Sequence, residues 1–166
     1  MLDLTRSLMR SLILEEVPVR MGLGFGGFRA QRFSTETRGS LTHHISEFFG
    51  TAVVYAHQAE SCGVSGMRIL LHPSVDQWQR RQESNEWRTD PVPHILTVDL
   101  TTTPKYGVVK ELNYLAHTSD DDLLFEAVKR MLSESPPSAA HHYADTLTAL
   151  GAMKSAYVNG AHKPQP

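Results

Sequence analysis

Residues 19–30 read VRMGLGFGGFRA. Gly22, Gly24, Gly26 and Gly27 fall within six residues, directly behind a short apolar run. The spacing Gly22-x-Gly24-x-x-Gly27 matches the dinucleotide-binding fingerprint. That fingerprint works only when the third glycine opens a helix whose N-terminal N–H groups hold a pyrophosphate. It also calls for an acidic residue roughly 20 positions on, after a second strand. Here the glycines run into FRAQRFSTETRGS, which has no helical periodicity, and Glu47 is expected at the start of a helix instead. A strand that bends, or that lets another backbone pass close by, accounts for the same glycines with less.

Working outward, Leu4, Leu8, Met9, Leu12 and Ile13 recur at steps of three and four. They predict an amphipathic helix over residues 2–15, ended before Pro18. Residues 17–25 read as a strand, and 29–46, polar and rich in Ser, Thr and charge, as a loop. EFFGTAVVYAHQAESC returns to helical period and stops near Gly63. MRILLHPSV is a short buried strand, and residues 76–93 are polar and exposed, with one helical turn after Ser74. HILTVDL and GVVKELNYL are strands around the turn TTTPKYG. SDDDLLFEAVKRMLSES is a helix capped by Ser119 or Asp120, and AAHHYADTLTALGAMKSAY is the last helix. Strands and helices are mixed without strict alternation, so the expected class is α+β, with a mixed or antiparallel sheet and its helices mainly on one face.

The chain has 166 residues and a net charge of −2, room for one ordinary core and no broad electrostatic attraction for nucleic acid. Cys62 is the single cysteine, which rules out an internal disulfide and a multi-thiolate zinc site and fits the cytoplasm. No apolar run approaches the roughly 18 residues of a membrane span. The first residues, with Arg6 and Arg10 inside the apolar pattern, are not a signal peptide.

The order of segments resembles the catalytic domain of the class III nucleotidyl (adenylate/guanylate) cyclases. Arg20-x-Gly22-x-x-x-Gly26 is similar to a family strand that reads Arg-Ile-Gly-Ile-His-x-Gly. FFGTAVVYAHQAE is similar to the family's helix with an aromatic-Gly start, then Val-Asn, then Ala-x-Arg. GVSGMRILLHPSV is similar to the strand that follows. The resemblance spans residues 1–75; residues 76–158 continue the same domain, and 159–166 form a tail. It implies a ferredoxin-like cyclase-homology fold, paired as a homodimer or with another cyclase-like chain. It also implies a nucleoside triphosphate or cyclic nucleotide as ligand, with Glu47, Arg20, Arg29, Gly22, Gly24 and Gly26 near it.

The same comparison shows what is missing. The family orients the ribose with an Asn and neutralises the transition state with an Arg. Those positions hold Val54, which makes no hydrogen bond, and Gln58, which carries no charge. The aspartates that would hold Mg or Mn would lie before Met1, and Asp3 is inside the first helix. A catalytically degenerate domain serving ligand binding, dimerisation or regulation follows. The other readings are an active cyclase completed by a partner chain, a GxGxxG oxidoreductase, or an interaction domain without a ligand.

The remaining reactive residues read as structural. His43-His44 and His141-His142 are adjacent and cannot chelate from one helix face, although His141 and His142 are spaced from Asp145 by four and three. His57 precedes Glu60 by three. Cys62 follows a helix, where the negative end of the dipole disfavours a thiolate. Asp120-Asp121-Asp122 suit a helix N-terminus. Arg80, Arg81, Trp78 and Trp87 are diluted by Glu83 and Glu86. Arg20, Arg29, Arg32 and Arg38 are the better anion candidates, with Arg29 and Arg32 flanking the glycine turn; the alternative is that they are surface charges.

Overall fold

A computed structural model describes residues 2–37, 41–77, 95–97, 104–108, 110–116 and 118–160, with the backbone alone for 34–37, 41–45 and 158–160. The order of elements is α1 (Leu2–Leu14), β1 (Met21–Leu23), β2 (Arg29–Thr37), β3 (Leu41–Phe49), α2 (Thr51–Glu60), β4 (Ile69–Leu71), β5 (Ile95–Thr97), β6 (Lys110–Leu112), α3 (Asp121–Glu134) and α4 (Pro137–Gly160). A helical turn at residues 74–77 and a 3₁₀ turn at Lys105–Gly107 complete them.

The class is α+β with a mixed four-stranded sheet, in the order β1-β4-β6-β5. β1 and β4 are parallel, with Met21 opposite Ile69 and Leu23 opposite Leu71; β6 runs antiparallel to both β4 and β5. Strands from both halves of the chain thus build one sheet. A ferredoxin-like unit splits its parallel strands around a third; here β1 and β4 are direct neighbours.

The sheet separates two cores because side chains alternate along a strand. Ile69 and Leu71 face the larger core with Met9 and Ile13 of α1, Leu124 and Val128 of α3, and Leu150 and Met153 of α4. Leu70, between them, faces the smaller core with Ala59, Cys62, Val64 and Val108, on the α2 side. Three helices therefore cover one face and α2 covers the other.

The sequence expectations for α1, β4, α3 and α4 hold within a few residues. Four others do not. The strand expected over 17–25 shortens to three residues. Of residues 29–46, expected as a loop, 29–37 and 41–46 form most of an antiparallel ribbon of nine residue pairs, β2 with β3. Glu47, Phe48 and Phe49 end β3 rather than open a helix, and α2 begins at Thr51. The last helix continues through Gly160, two residues into the expected tail. The exposed stretch expected around Trp78 to Trp87 lies outside the described residues.

Candidate functional site

The glycine stretch is the place to start, because four of the candidate residues lie in it. Gly22 in β1 and Gly24 and Gly26 just beyond its end alternate, and all three turn toward α2. The helix crosses them at backbone distance. A Cβ on Gly22 would overlap the carbonyl oxygen of Ala56, and one on Gly24 would sit 2.6 Å from Ala56 N and Tyr55 Cβ. A Cβ on Gly26 would overlap Thr51 Oγ1. The contacts climb the strand as they descend the helix, so the two run antiparallel. Small Ala52, Ala56 and Ala59 form the matching stripe on α2. The glycines are therefore a bed for a helix. Gly27 leads into β2, not into a helix, so no helix N-terminus faces the loop from behind it.

The turn between ribbon and helix is tightly tied. Gly27 N–H donates to Thr51 Oγ1 at 2.9 Å, and Ala52 N–H donates to the Gly27 carbonyl at 3.1 Å. Gly50 has φ 127°, and a side chain there would strike the Gly27 carbonyl. That explains the aromatic-Gly pair Phe49-Gly50 in conformational terms.

Arg20 is not available to a phosphate. Its Nη2 lies 2.9 Å from the Glu60 carboxylate and its Nη1 donates to the Val64 carbonyl at 2.6 Å. Arg29, Arg32 and Glu47 are exposed on the ribbon, where Arg29 pairs with Phe49 and Glu47 with Gln31. Val54 and Gln58 lie one helical turn apart on α2, turned from the alanine stripe; Val54 is 52% exposed and Gln58 half-buried. The structure thus brings Gly22, Gly24 and Gly26 against α2, but does not gather Arg20, Arg29 and Glu47 around them.

At the carboxyl ends of β1 and β4 a polar relay joins the two strands. Phe25 N–H donates to Ser74 Oγ at 2.9 Å, Ser74 Oγ lies 2.9 Å from His72 Nδ1, and Ser74 N–H donates to the same nitrogen at 3.1 Å. His72 stacks on Tyr55 of α2, centroids 4.3 Å apart and planes 7° from parallel. Burial pushes the imidazole below its ordinary 6.5. Beneath the sheet, Arg68 and Glu111 form a buried pair at 3.5 Å, with Arg68 Nε and Glu111 Oε2 unpartnered among the described residues. Burial pushes the Glu111 carboxyl up, and Arg68 pulls it part of the way back. Burial, and secondarily the Glu111 charge, push the Tyr114 phenol up as well; its hydroxyl donates to the Met67 carbonyl at 2.9 Å.

A cleft of about 310 Å³ opens between Pro18, Val19, Met67, Ala139, His142 and Tyr143. His142 Nδ1 at its edge lies 2.7 Å from Ser65 Oγ. These long-range pairs were missed in the sequence because their partners are 77 and 43 positions apart and neither type of residue is rare.

The other sequence candidates resolve as packing. His141 rests against the His142 ring, centroids 3.8 Å apart, and His57 lies 3.9 Å from Glu60. Cys62 is buried. Asp121 is ion-paired with Arg10, and Asp122 with Lys154 at 3.1 Å. The side chains of His43, His44, Arg38, Arg80, Arg81, Trp78 and Trp87 lie outside the described residues. Among the described residues no three His, Cys, Asp or Glu side chains converge on a metal position, and Asp3 on α1 meets Arg6 at 3.4 Å. The described residues therefore do not fit a pair of divalent ions.

Compared with protein-family models, with curated proteins and with solved structures, the chain matches none. No helix among the described residues is long and apolar enough to cross a membrane.

Proposed function

We propose that this chain is a cyclase-homology domain that acts by pairing and ligand-dependent regulation in the cytoplasm, without turning over a nucleotide. One observation carries the reading. Val54 and Gln58 share the outward side of α2, the side on which a second chain could complete a site. They stand where ribose orientation and transition-state neutralisation require an amide and a guanidinium. An uncharged side chain there forgoes a factor on the order of a thousand or more in phosphoryl-transfer rate. The engagement of Arg20 with Glu60 and Val64 takes that cation out of the set of groups that would meet the ligand. The partner is a second copy or a cyclase-like chain, and the ligand class is a nucleoside triphosphate or cyclic nucleotide.

The purified chain, given ATP, GTP, CTP or UTP with Mg²⁺ or Mn²⁺, releases no pyrophosphate above background. Val54→Asn with Gln58→Arg does not create activity. Appreciable turnover by the unmodified chain overturns the reading. The dinucleotide alternative has less behind it, because a ribbon rather than a helix follows Gly27.

A further inference from the structure

We infer that the cleft beside Ser65 and His142 is a site of carboxylic ester hydrolysis, with the acyl group in the cleft, Ser65 as nucleophile and His142 as its base. Both residues lie outside the positions likened to a nucleotide site, so this activity and the proposed role fail independently. Ser65 sits in the turn between α2 and β4, within Gly63-Val64-Ser65-Gly66, and His142 on the second turn of α4.

The pair is held from both sides. Gly63 and Gly66, each at φ 95°, shape the turn that presents Ser65. The buried Thr146 hydroxyl accepts from Met67 N–H at 2.8 Å and donates to the His142 carbonyl at 2.8 Å. On the other side of Ser65, the Val64 carbonyl accepts from Arg20 Nη1 at 2.6 Å. The turn is thus tied to Arg20 and to the part of α4 that carries His142. Ser65 Oγ then meets His142 Nδ1 at 2.7 Å, within the reach of a nucleophile for its base.

The surroundings suit acyl transfer. Gly66 is buried, and its N–H has no hydrogen-bond partner among the described residues. As the amide that follows the nucleophile, it is the donor left for an oxyanion. Gly66 also lines the cleft, whose other walls include the apolar Pro18, Val19, Met67, Ala139 and Tyr143. At about 310 Å³ the cleft is at the small end of ligand sites. Arg20 at its rim is matched by the Glu60 carboxylate at 2.9 Å. An uncharged ester with a short acyl chain fits these walls better than a carboxylate or a phosphate.

The step balances without a cofactor. Ser65 Oγ bonds to the ester carbonyl carbon as its proton passes to His142 Nδ1, and the oxyanion meets Gly66 N–H. The carbon–oxygen bond to the alcohol breaks, and the alcohol leaves with the proton from Nδ1. Water then attacks the acyl-serine, gives a proton to Nδ1, and releases the carboxylic acid as that proton returns to Ser65. Among the described residues no carboxylate meets the other ring nitrogen of His142. Turnover is therefore slower than with a complete triad, and covalent labelling is the more sensitive readout.

The intact chain is tested with p-nitrophenyl acetate and butyrate, and with a fluorophosphonate followed by peptide mass spectrometry. Expected are nitrophenol release and a single phosphonyl group on Ser65. Ser65→Ala abolishes the label and lowers kcat/KM at least about a hundredfold, and His142→Gln lowers it comparably. His57→Ala removes an exposed imidazole elsewhere and leaves both readouts unchanged. Ala139→Phe narrows the cleft and shifts preference from butyrate towards acetate by about tenfold. Absence of label on Ser65, hydrolysis that survives Ser65→Ala or His142→Gln, or hydrolysis that falls as far in His57→Ala overturns the site. An unchanged preference in Ala139→Phe overturns the placement of the acyl group. Should that variant fail to fold, the label and the Ser65 and His142 variants still decide.

Discussion

Arg20 and Glu60 lock the start of β1 to the end of α2: Arg20 Nη2 lies 2.9 Å and Nε 3.3 Å from the same carboxylate oxygen. The helix that beds on the glycines is thus pinned at its last turn by a residue immediately before the strand. An arginine read from its spacing as a phosphate ligand is a clamp between elements. Both side chains are partly exposed, so solvent screening limits what the pair contributes.

Arg20→Ala removes the pair and the donor to the Val64 carbonyl. A loss of about 1–2 kcal/mol follows, measured by urea denaturation, with triphosphate binding unchanged by calorimetry. An Arg20 that served the ligand would give the opposite split, with intact stability and weakened binding.

The glycines separate packing from phosphate binding. Gly24→Ala places a methyl group 2.6 Å from Ala56 N and Tyr55 Cβ, both of which belong to the helix itself. It should cost about 2–3 kcal/mol, and Gly22→Ala no less. Gly27→Ala meets only Thr51 Oγ1, at 3.8 Å, and should stay within about 0.5 kcal/mol of the native chain. A pyrophosphate loop would make Gly27 the critical position; the denaturation midpoints of the three variants decide between the two.

These clashes also show what was legible in the sequence. The period of two in Gly22, Gly24 and Gly26 already marks one face of an extended chain, and it fits the packing better than the fingerprint spacing through Gly27 that shares its first two glycines. α1, α3 and α4 announce themselves because each buries one apolar stripe, and Ile69–Leu71 because it is apolar on both faces. The ribbon hides because its strands mix polar and aromatic residues without a clean alternation, and the described side chains at 29–33 and 46–49 are all exposed. Its β-formers Phe33, Thr35 and Thr37, alternating ahead of Gly39, were the available signal. The pairs Arg20–Glu60 and Arg68–Glu111 depend on tertiary proximity, to which local periodicity is blind.

His72 makes stability pH-dependent near neutrality. In the folded chain Nδ1 accepts from Ser74 N–H, which requires the neutral ring, and burial holds its pKa below 6.5. The unfolded chain therefore binds the proton first as pH falls. The stabilisation is complete above about pH 6.5 and is lost as pH drops from there through the lowered value. His72→Asn keeps an acceptor near the Nδ1 position without the titration. It should lose about 1 kcal/mol at pH 7.5 with the Tyr55 stack, and show a flatter stability profile between pH 7.5 and 5. An unchanged slope in His72→Asn would assign the dependence to another group.

The Arg68–Glu111 pair gives the opposite sign. Burial raises the Glu111 carboxyl above its ordinary 4.5, so the folded chain holds that proton longer than the unfolded one. Its contribution is fully present below about pH 4.5 and declines as pH rises through the raised value. Removing Arg68 alone leaves an ionised carboxylate buried without its cation. Arg68→Met should therefore cost about 3–5 kcal/mol at pH 7, and less at pH 4.5, where the carboxyl can stay protonated. Replacing both, Arg68→Met with Glu111→Leu, fills the same space without either charge or the two unpartnered atoms, and should be neutral or stabilising relative to the native chain. Urea denaturation of the three proteins at pH 4.5 and 7 measures all of this. A double variant as unstable as Arg68→Met, or a single-variant cost that does not change with pH, would show that packing rather than charge governs this part of the core.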